Sequence, residues 1–317
     1  MFEIVFLGTS ASAPSVQRGL SAQVVKHNEH RFLIDCGEGT QRQILTSGLG
    51  FKKLNKILIT HGHLDHILGL AGLFSTFSRW ETIEEVEIMA GKWALERIHD
   101  LLYGVRVLVP GKMDIEVKMT EIKPGVIFQE GDFSVTAIPV SHRGPDCYGF
   151  VFEEQARRPF LPEKADALGV PPGPLRGRLV KGETITLENG VQVTPEDVLG
   201  EETPGVKFIH IGDTGKTKDL VDAVRGADAL VIEATYLKEE EAMAHQFAHL
   251  TAGMAAELAA EAGVKHLLLT HVSRRYRERD IKKEARAVFE NTLVARDFDV
   301  YQIRRGECMK METTSDD

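Results

Sequence analysis

Thr60-His61-Gly62-His63-Leu64-Asp65-His66 is the stretch of sequence that decides the fold of this 317-residue chain. It follows an apolar run at residues 56–59 that has the character of a short strand. Three imidazoles and one carboxylate lie within six residues, and zinc in proteins takes nitrogen and oxygen ligands of these kinds. The stretch therefore predicts a metal site at the carboxyl end of a strand.

One such cluster does not supply enough ligands for two metal ions. His61 and His63 are two residues apart, so in an extended loop they face the same side. Asp65 and His66 come after the bend, where they would face a second ion. Further ligands must therefore come from the ends of other strands.

Three more candidates each follow a predicted strand. His142 comes after the strand at residues 133–139, Asp213 after the strand at 207–211, and His271 after the strand at 265–269. Strand ends gathered by a sheet are where α/β proteins place their sites. Read alone, either histidine is more typical of a core or loop residue, and Asp213 is typical of a turn or a helix cap. The cluster at residues 61–66 favours ligands in all three cases.

Strand-like and helical segments alternate along the chain, which indicates the α/β class. Predicted strands lie at residues 2–7, 22–26, 31–35, 56–59, 86–90, 116–122, 126–129, 133–139, 148–153, 207–211, 229–232 and 265–269. Predicted helices lie at residues 38–46, 67–78, 93–102, 218–224, 251–262 and 278–290. Strands followed by helices, twice over, predict two sheets sandwiched between helices.

Residues 155–204 interrupt this alternation. They carry seven of the twelve prolines and show no sustained helical or strand periodicity, which predicts an irregular insertion that projects from the globular body. Residues 155–182 hold six Lys or Arg and two acids, a net charge of +4. Residues 271–286, with seven bases and three acids, also carry +4.

These two basic segments stand in an acidic chain. The net charge of −9 speaks against a nucleic-acid partner, but local basic patches decide phosphate binding. No apolar run approaches the roughly 20 residues of a membrane span, and the N-terminus has no basic lead-in. The sequence therefore predicts a soluble, cytoplasmic protein.

Residues 61–66 match the signature of the metallo-β-lactamase superfamily, and seven further segments resemble short-form ribonuclease Z in that family's order. These segments are FLGTSASAP (6–14), LIDCGEGTQRQI (33–44), GVPPGPLRGRL (169–179), GDT (212–214), LVIEATY (230–236), HLTAGMAAELA (249–259) and LLLTHVSRRY (267–276). The resemblance implies a four-layer αββα sandwich over residues 1–317, with residues 155–204 as an inserted tRNA-binding arm. It also implies a homodimer.

The resemblance further implies an endoribonuclease that removes the 3′ trailer from precursor tRNA by metal-hydroxide attack and leaves a 3′-hydroxyl. Two Zn²⁺ ions per subunit are expected, although Mn²⁺ or another divalent metal suits such nitrogen and oxygen ligands. The ligands of the first ion would be His61, His63, His142 and Asp213. The ligands of the second ion would be Asp65, His66, His271 and the shared Asp213.

Three residues would act directly in catalysis by the same resemblance. Asp65 would be a general base as well as a ligand, His249 the general acid, and Glu233 the carboxylate that orients His249. Glu233 also fits a surface carboxylate after a strand, and His249 fits a histidine at the start of a helix. His245 is a competing proton donor.

The implied substrate contacts are basic or aromatic. Arg275 and Tyr276 match family residues that contact phosphate, although adjacent arginines also occur on solvated faces. Arg176 and Arg178 lie in the predicted arm. Arg18 lies in the loop at residues 14–19, which the family associates with rejection of tRNA that already bears CCA; here Val16 stands in place of the family's lysine and Gly19 in place of its asparagine.

Two other functions compete with this interpretation. One is a hydrolase of the same fold that acts on a small phosphodiester, sulfate ester or lactone, which would have no evident use for a basic insertion. The other is a non-catalytic RNA-binding relative, which would be expected to lose ligands. All seven predicted ligands are present, so the sequence favours the endoribonuclease.

Overall fold

A computed structural model of the chain describes residues 1–80, 83–108 and 115–312. The strands are β1 Phe2–Gly8, β2 Ala22–His27, β3 His30–Ile34, β4 Lys56–Leu58, β5 Glu85–Ala90, β6 Glu116–Glu121, β7 Gly125–Glu130, β8 Phe133–Pro139, β9 Tyr148–Glu154, β10 Ile185–Thr186, β11 Gln192–Val193, β12 Lys207–His210, β13 Ala229–Glu233, β14 His266–Thr270, β15 Thr292–Val294, β16 Val300–Arg304 and β17 Glu307–Lys310. The α-helices are α1 Thr40–Thr46, α2 Leu64–Ile67, α3 Gly69–Trp80, α4 Lys92–His99, α5 Pro162–Ala167, α6 Pro174–Val180, α7 Pro195–Val198, α8 Val221–Val224, α9 Glu241–Phe247, α10 Ala252–Glu261 and α11 Glu278–Arg286. Short turns of other helix types lie at Asp100–Gly104, Lys218–Leu220 and Lys238–Glu240.

The strands form two large sheets. The first has the order β17-β16-β1-β2-β3-β4-β5-β6, and the second has the order β15-β14-β13-β12-β9-β8-β7. Strands β3 to β6 run parallel, as do β12 to β15. The pairs β16–β17, β1–β16, β1–β2, β2–β3, β9–β12 and β7–β8 are antiparallel. Each sheet therefore has a parallel half, and the carboxyl ends of its strands lie at one edge.

Alternating side chains place each sheet between two cores. On β1, Val5 and Leu7 pack with the helices that follow β3 to β5, whereas Phe2, Ile4 and Phe6 pack between the sheets. The second sheet repeats this division.

On β13, Leu230 and Ile232 pack against α10, and Val231 lies between the sheets. Burying each of these large side chains contributes roughly 1.5–3 kcal/mol. The layers are helix, sheet, sheet and helix, so the predicted sandwich of two sheets between helices is confirmed.

Several predicted boundaries differ from the structure for local reasons. The predicted helix at residues 67–78 begins earlier and divides into α2 and α3, because the Gly69 N–H donates to the Cys36 carbonyl at 2.8 Å instead of continuing the first helix. The predicted helix at 93–102 ends as α4 and continues in a wider turn at Asp100–Gly104. The strands β15, β16 and β17 were not predicted.

Residues 154–205 form a compact unit of their own. The prediction of an irregular segment is wrong, because three short helices and the β10–β11 ladder lie within it. The prolines that suggested irregularity instead occupy the first turns of the helices, at Pro162, Pro174 and Pro195, where a missing N–H costs nothing. This unit has a hydrophobic core built from Ala165, Val170, Leu179, Ile185, Val193, Val198 and Leu199.

The helices that the structure describes are short, and α3, with 12 residues, is the longest of them. None of them combines enough length with enough apolar character to cross a bilayer. A membrane span needs about 20 predominantly apolar residues in one helix.

Candidate metal centre

The structure brings all seven predicted ligands to one edge of the two sheets. His61 and His63 lie in the loop after β4, and α2 begins directly after His63. Asp65 and His66 lie on that short helix. The remaining three ligands follow β8, β12 and β14, and they are His142, Asp213 and His271.

The first ligand set consists of three imidazoles and one carboxylate. His63 Nδ1 lies 2.9 Å from His61 Nε2 and 3.2 Å from His142 Nε2. Asp213 Oδ2 lies 3.8 Å from both of those Nε2 atoms. Tetrahedral zinc with bonds near 2.0–2.1 Å separates its ligand atoms by roughly 3.3 Å, so the four atoms have the spacing of one ion's coordination sphere.

The second set shares Asp213 with the first. His66 Nε2 lies 3.7 Å from Asp65 Oδ2 and 3.4 Å from Asp213 Oδ2. His271 Nε2 lies 3.5 Å from Asp65 Oδ2 and 3.4 Å from Asp213 Oδ1. Asp213 Oδ2 therefore lies within 3.8 Å of nitrogens of both sets, and Oδ1 faces the second set alone. A carboxylate shared in this way is suited to bridge two ions.

Three buried atoms of this cluster indicate that a cation belongs there. His66 Nε2, His271 Nε2 and Asp213 Oδ1 have no hydrogen-bond partner within the described parts of the chain. A buried polar atom without a partner costs on the order of 1–3 kcal/mol, and a metal bond removes that cost. The donor set of imidazoles and carboxylates therefore fits a pair of divalent metal ions.

The charges of the cluster support the same conclusion. Although burial opposes it, Asp213 and Asp35 raise the pKa of His66 well above its usual value, which shows that this position favours positive charge. Burial and the adjacent His142 lower the pKa of His63 to about 4, so this imidazole is neutral at pH 7, as a ligand must be.

Hydrogen bonds fix the orientation of four ligand imidazoles through the ring nitrogen that faces away from the cluster. His61 Nδ1 lies 3.0 Å from Thr60 Oγ1, and His66 Nδ1 donates to Asp35 Oδ2 at 2.7 Å. His142 Nδ1 donates to the Ala248 carbonyl at 2.7 Å, and His271 Nδ1 lies 2.9 Å from Thr235 Oγ1. Such outer bonds select the tautomer that presents Nε2 to the metal.

Asp35 and Thr235 were not predicted as site residues. Asp35 is buried and also accepts hydrogen bonds from the Thr60 N–H at 2.8 Å and from Thr60 Oγ1. A signal for Asp35 was present, because it directly follows the strand β3 as the predicted ligands follow theirs. Thr235 gave no such signal, since a threonine after a strand is common.

His249 and Glu233 form a buried pair beside the ligands. His249 Nδ1 lies 3.0 and 3.1 Å from the two oxygens of Glu233 and 3.9 Å from Asp213 Oδ2. Burial disfavours the charged imidazole, but the Glu233 carboxylate outweighs burial and raises the pKa of His249 to about 9. The competing His245 is exposed and pairs with Glu241 at 3.5 Å.

Glu233 is itself held rigidly. It is 0% exposed, and its oxygens accept from the Thr214 N–H at 2.7 Å and from Thr235 Oγ1 at 2.5 Å. Thr235 thus links Glu233 to His271. The alternative of a surface carboxylate is excluded, since Glu233 connects the predicted proton donor with the metal centre.

Four residues around the centre have left-handed backbone conformations. The φ angles are +58° at Ser12, +57° at Asp35, +54° at Ala248 and +52° at His271. Ser12 uses this conformation to donate its N–H to Asp65 Oδ2 at 3.0 Å. Left-handed backbone is unfavourable for residues other than glycine, so these turns are held by their surroundings.

The predicted substrate contacts lie outside the ligand cluster. Arg275 pairs with Glu240 at 3.1 Å, and Tyr276 donates its hydroxyl to the same carboxylate. Arg18 donates to Thr9 Oγ1 and to the Ala295 carbonyl, both at 2.6 Å. Arg18 therefore supports its own loop.

The other two predicted contacts lie within the unit of residues 154–205. Arg176 donates to the Val170 carbonyl at 2.7 Å and pairs with Asp166, with its guanidinium over the ring of Phe160. Arg178 pairs with Glu183 at 2.8 Å, and half of its side chain is exposed. Arg176 thus stabilises this unit, whereas Arg178 faces solvent.

Comparison with known proteins gives the class of the molecule. Family models described as anti-Pycsar protein Apyc1 and as a β-lactamase superfamily domain match residues 2–159 and 183–272. The metallo-β-lactamase fold protein YhfI from Bacillus subtilis aligns over 94% of this chain and 98% of its own, with a TM-score of 0.66 at 16% identity. The fold is therefore the metallo-β-lactamase fold, and the clustered histidines and aspartates form the candidate metal site of that fold.

Relatives of similar sequence identify the family to which the chain belongs within this fold. A ribonuclease Z from Bradyrhizobium diazoefficiens is 46% identical over 299 residues, which are 94% of this chain and 99% of that protein. A ribonuclease Z from Archaeoglobus fulgidus is 39% identical over 94% of this chain and 96% of its own. The crystal structure of human tRNase Z, short form, aligns over 95% of this chain and 99% of its own, with a TM-score of 0.66 at 25% identity. The chain belongs to the ribonuclease Z family and is a hydrolase of the ribonuclease type.

Proposed function

We propose that this chain is a metal-dependent endoribonuclease that removes the 3′ trailer from precursor tRNA and leaves a 3′-hydroxyl on the tRNA. The observation that carries the proposal is Asp213, whose Oδ2 lies within 3.8 Å of imidazole nitrogens of both ligand sets, beside the buried pair of His249 and Glu233. The names of the relatives, ribonuclease Z and tRNase Z, support tRNA as the substrate.

The proposed cofactor is a pair of zinc ions, one in each ligand set. His61, His63 and His142 would hold the first, Asp65, His66 and His271 the second, and Asp213 would bridge them. When bound, such ions lower the pKa of a water molecule and stabilise charge on the phosphate. Mn²⁺ suits the same nitrogen and oxygen ligands, so metal analysis of purified protein tests this assignment.

Asp65 is proposed as the general base. The Ser12 N–H holds Oδ2 of this carboxylate at 3.0 Å, and 17% of the side chain remains exposed to the cleft. His66 and His271 outweigh burial and lower its pKa, which keeps it ionised at neutral pH. The ionised carboxylate can therefore accept a hydrogen bond that orients the attacking water, and it is the proposed acceptor of that water's proton.

His249 is proposed as the general acid. As a bond forms between the water oxygen and phosphorus, the bond to the 3′ oxygen of the upstream ribose breaks, and that oxygen needs a proton. The raised pKa of His249 keeps the imidazole protonated at neutral pH. Because Glu233 binds Nδ1, Nε2 is the atom that faces the leaving oxygen.

Residues 155–204 are proposed as the arm that binds the body of tRNA, and the functional unit as a homodimer. Within the proposed arm, Arg178 is the better candidate for a phosphate contact, because its side chain is 51% exposed, whereas that of Arg176 is 16% exposed. Arg275, Tyr276 and Arg18 are proposed contacts for the acceptor end. Light scattering after gel filtration tests the dimer.

Cleavage of two end-labelled tRNA precursors, one with a plain 3′ trailer and one with encoded CCA, tests the proposed function. A discrete cut near the discriminator base of the first precursor is expected. The second shows whether a loop with Val16 and Gly19 still rejects CCA. Zinc-loaded protein that cuts neither precursor but hydrolyses a small phosphodiester would replace the proposal with a small-molecule hydrolase.

A further inference from the structure

Two arginines without acidic partners line the cleft beside the metal centre. The cleft is lined by Ser12, His63, Leu64, Asp65, Arg97, Arg143, Asp213 and His249. Arg97 lies on α4, and Arg143 directly follows His142. Neither guanidinium has an ion pair or a hydrogen bond within the described ranges, whereas Arg18, Arg176 and Arg275 each pair with a carboxylate.

Aromatic rings hold both guanidiniums in place. Arg97 lies over the ring of Trp93 with its Cζ 5.3 Å from the ring centroid, and Arg143 lies over Phe247 at 5.6 Å. Stacking of this kind contributes roughly 0.5–1 kcal/mol at exposed sites and leaves the N–H groups free for another partner. The two positive charges are therefore positioned without being neutralised.

Close packing joins this pair to the loop that carries the ligands. A Cβ atom on Gly62, between His61 and His63, would lie 3.1 Å from Trp93 and 3.3 Å from the Cδ of Arg97. Trp93 also meets the ring of His63 edge-on, with centroids 5.6 Å apart. Arg97 is thus fixed relative to the first ligand set.

The position of these charges indicates their ligand. The metal ions would neutralise the scissile phosphate, so two further cations in the same cleft serve a second anion. RNA carries one at the neighbouring linkage, and a planar guanidinium suits the oxygens of a phosphodiester. We propose that Arg97 and Arg143 form a subsite for the phosphate adjacent to the scissile phosphate, an inference that rests on the proposed function.

The Arg97→Gln/Arg143→Gln double variant tests this subsite. Binding of precursor tRNA is measured by fluorescence anisotropy at several salt concentrations, and kcat and KM are measured for cleavage. We expect KM to rise about tenfold and the salt dependence of binding to fall by about 0.7, the value for one phosphate contact on a single strand. An unchanged KM together with an unchanged salt dependence would overturn the proposal.

Arg304→Gln/Arg305→Gln is the matched control, because it removes two positive charges from exposed side chains, as many as the Arg97→Gln/Arg143→Gln variant removes. Arg305 is exposed and precedes Gly306, whose carbonyl lies 3.1 Å from His266 Nε2 at the start of β14, the opposite end of that strand from His271. This variant removes the same charge outside the cleft and is expected to leave KM unchanged. If the double variant and the control changed KM and the salt dependence of binding equally, net charge alone would explain the effect and the proposed subsite would be wrong.

A neutral linkage in the substrate identifies the phosphate. Precursors are prepared with a methylphosphonate at one or the other linkage beside the cleavage site. If the methylphosphonate lies at the contacted linkage, it should weaken binding by the wild type as much as the double substitution weakens binding of the natural precursor. The double variant should bind the modified and the natural precursor equally well. Additive losses at both linkages would exclude the subsite.

The binding measurement separates this inference from the proposed function. If the wild type binds precursor in a manner that depends on Arg97 and Arg143 but cuts nothing, the proposed function fails, whereas the assignment of these two arginines to an RNA phosphate stands. If the wild type cuts precursor at the expected position and the double variant binds and cuts equally well, the subsite fails and the function stands.

Discussion

Four of the five imidazoles in the candidate metal centre have a second hydrogen-bond partner, so the supporting residues matter as much as the ligands. Asp35 holds His66, Thr235 holds His271, and Glu233 holds His249. Thr235 and Glu233 are also bonded to each other. The orientation of the proton donor is therefore coupled to that of a ligand.

Substrates with different leaving groups test whether His249 acts as the general acid. His249→Ala should lower kcat for precursor tRNA by on the order of 10²–10⁴, because a ribose oxygen must be protonated as it leaves. The loss should be much smaller for a p-nitrophenyl phosphodiester, since p-nitrophenolate leaves without a proton. Steady-state kinetics on both substrates measure the difference, with His245→Ala as the exposed control. Equal losses on both substrates would show that His249 supports the metal centre instead.

The strands and helices contribute to the candidate metal centre through the loops at their ends. The loop after β3 and the loop after β4 are tied together, because the Asp35 N–H donates to the Leu58 carbonyl at 2.9 Å and the Cys36 N–H donates to the His66 carbonyl at 2.7 Å. The Asp35 side chain closes the same connection through Thr60. One carboxylate thus sets the relative position of two strands and of α2.

Asp35→Asn tests this connection while keeping the size of the side chain. Only one oxygen remains for the Thr60 and His66 donors, so the affinity for metal should fall by about 10–100-fold. Competition with a zinc chelator measures the affinity. The control is Asp132→Asn in the exposed turn between β7 and β8, which should leave the affinity unchanged. An unaltered affinity in Asp35→Asn would show that backbone bonds alone hold the loops.

Sequence patterns located the strands and the clustered candidate ligands better than the residues that support them. The strand at 133–139 coincides with β8, because its alternating apolar residues Phe133, Val135 and Ala137 face the core between the sheets. The short strand β15 has only three residues, which carry too little pattern to be recognised, and it pairs with β14 across the intervening helix α11. Thr235 acts only through contacts that the fold creates, which no local pattern reveals.

At the scale of the whole molecule, the chain leaves and re-enters the main unit through adjacent strands. β9 and β12 pair antiparallel with Glu153 opposite Lys207, and within the other unit Arg157 and Thr203 exchange two backbone hydrogen bonds of 2.9 Å. The main unit comprises residues 1–153 and 206–317. Among the described residues, its three core clusters contain none from 154–205, and the fourth cluster lies entirely within that segment.

Replacing residues 157–203 with a short glycine-rich linker should therefore leave the main unit folded. Thermal unfolding should remain cooperative and the metal content unchanged, since no ligand lies in the replaced segment. If the segment is the tRNA-binding arm, KM for precursor tRNA should rise more than tenfold. Arg178→Gln alone should give a smaller rise. A replaced variant with unchanged KM would contradict the assignment of the arm.

The left-handed turns at Ser12, Asp35, Ala248 and His271 imply a trade-off between stability and activity. Each conformation disfavours a side chain by about 1–2 kcal/mol relative to glycine.

Ala248 is the only one of the four whose side chain carries no polar group, and its carbonyl holds His142. Ala248→Gly should raise the free energy of unfolding by about 0.5–1 kcal/mol, measured by denaturant titration, because glycine is preferred where α9 ends. A less stable variant would contradict this. If the variant is more stable, the native alanine keeps the backbone around His142 rigid at the expense of thermal stability. Enzymes commonly depart from their stability optimum in this direction.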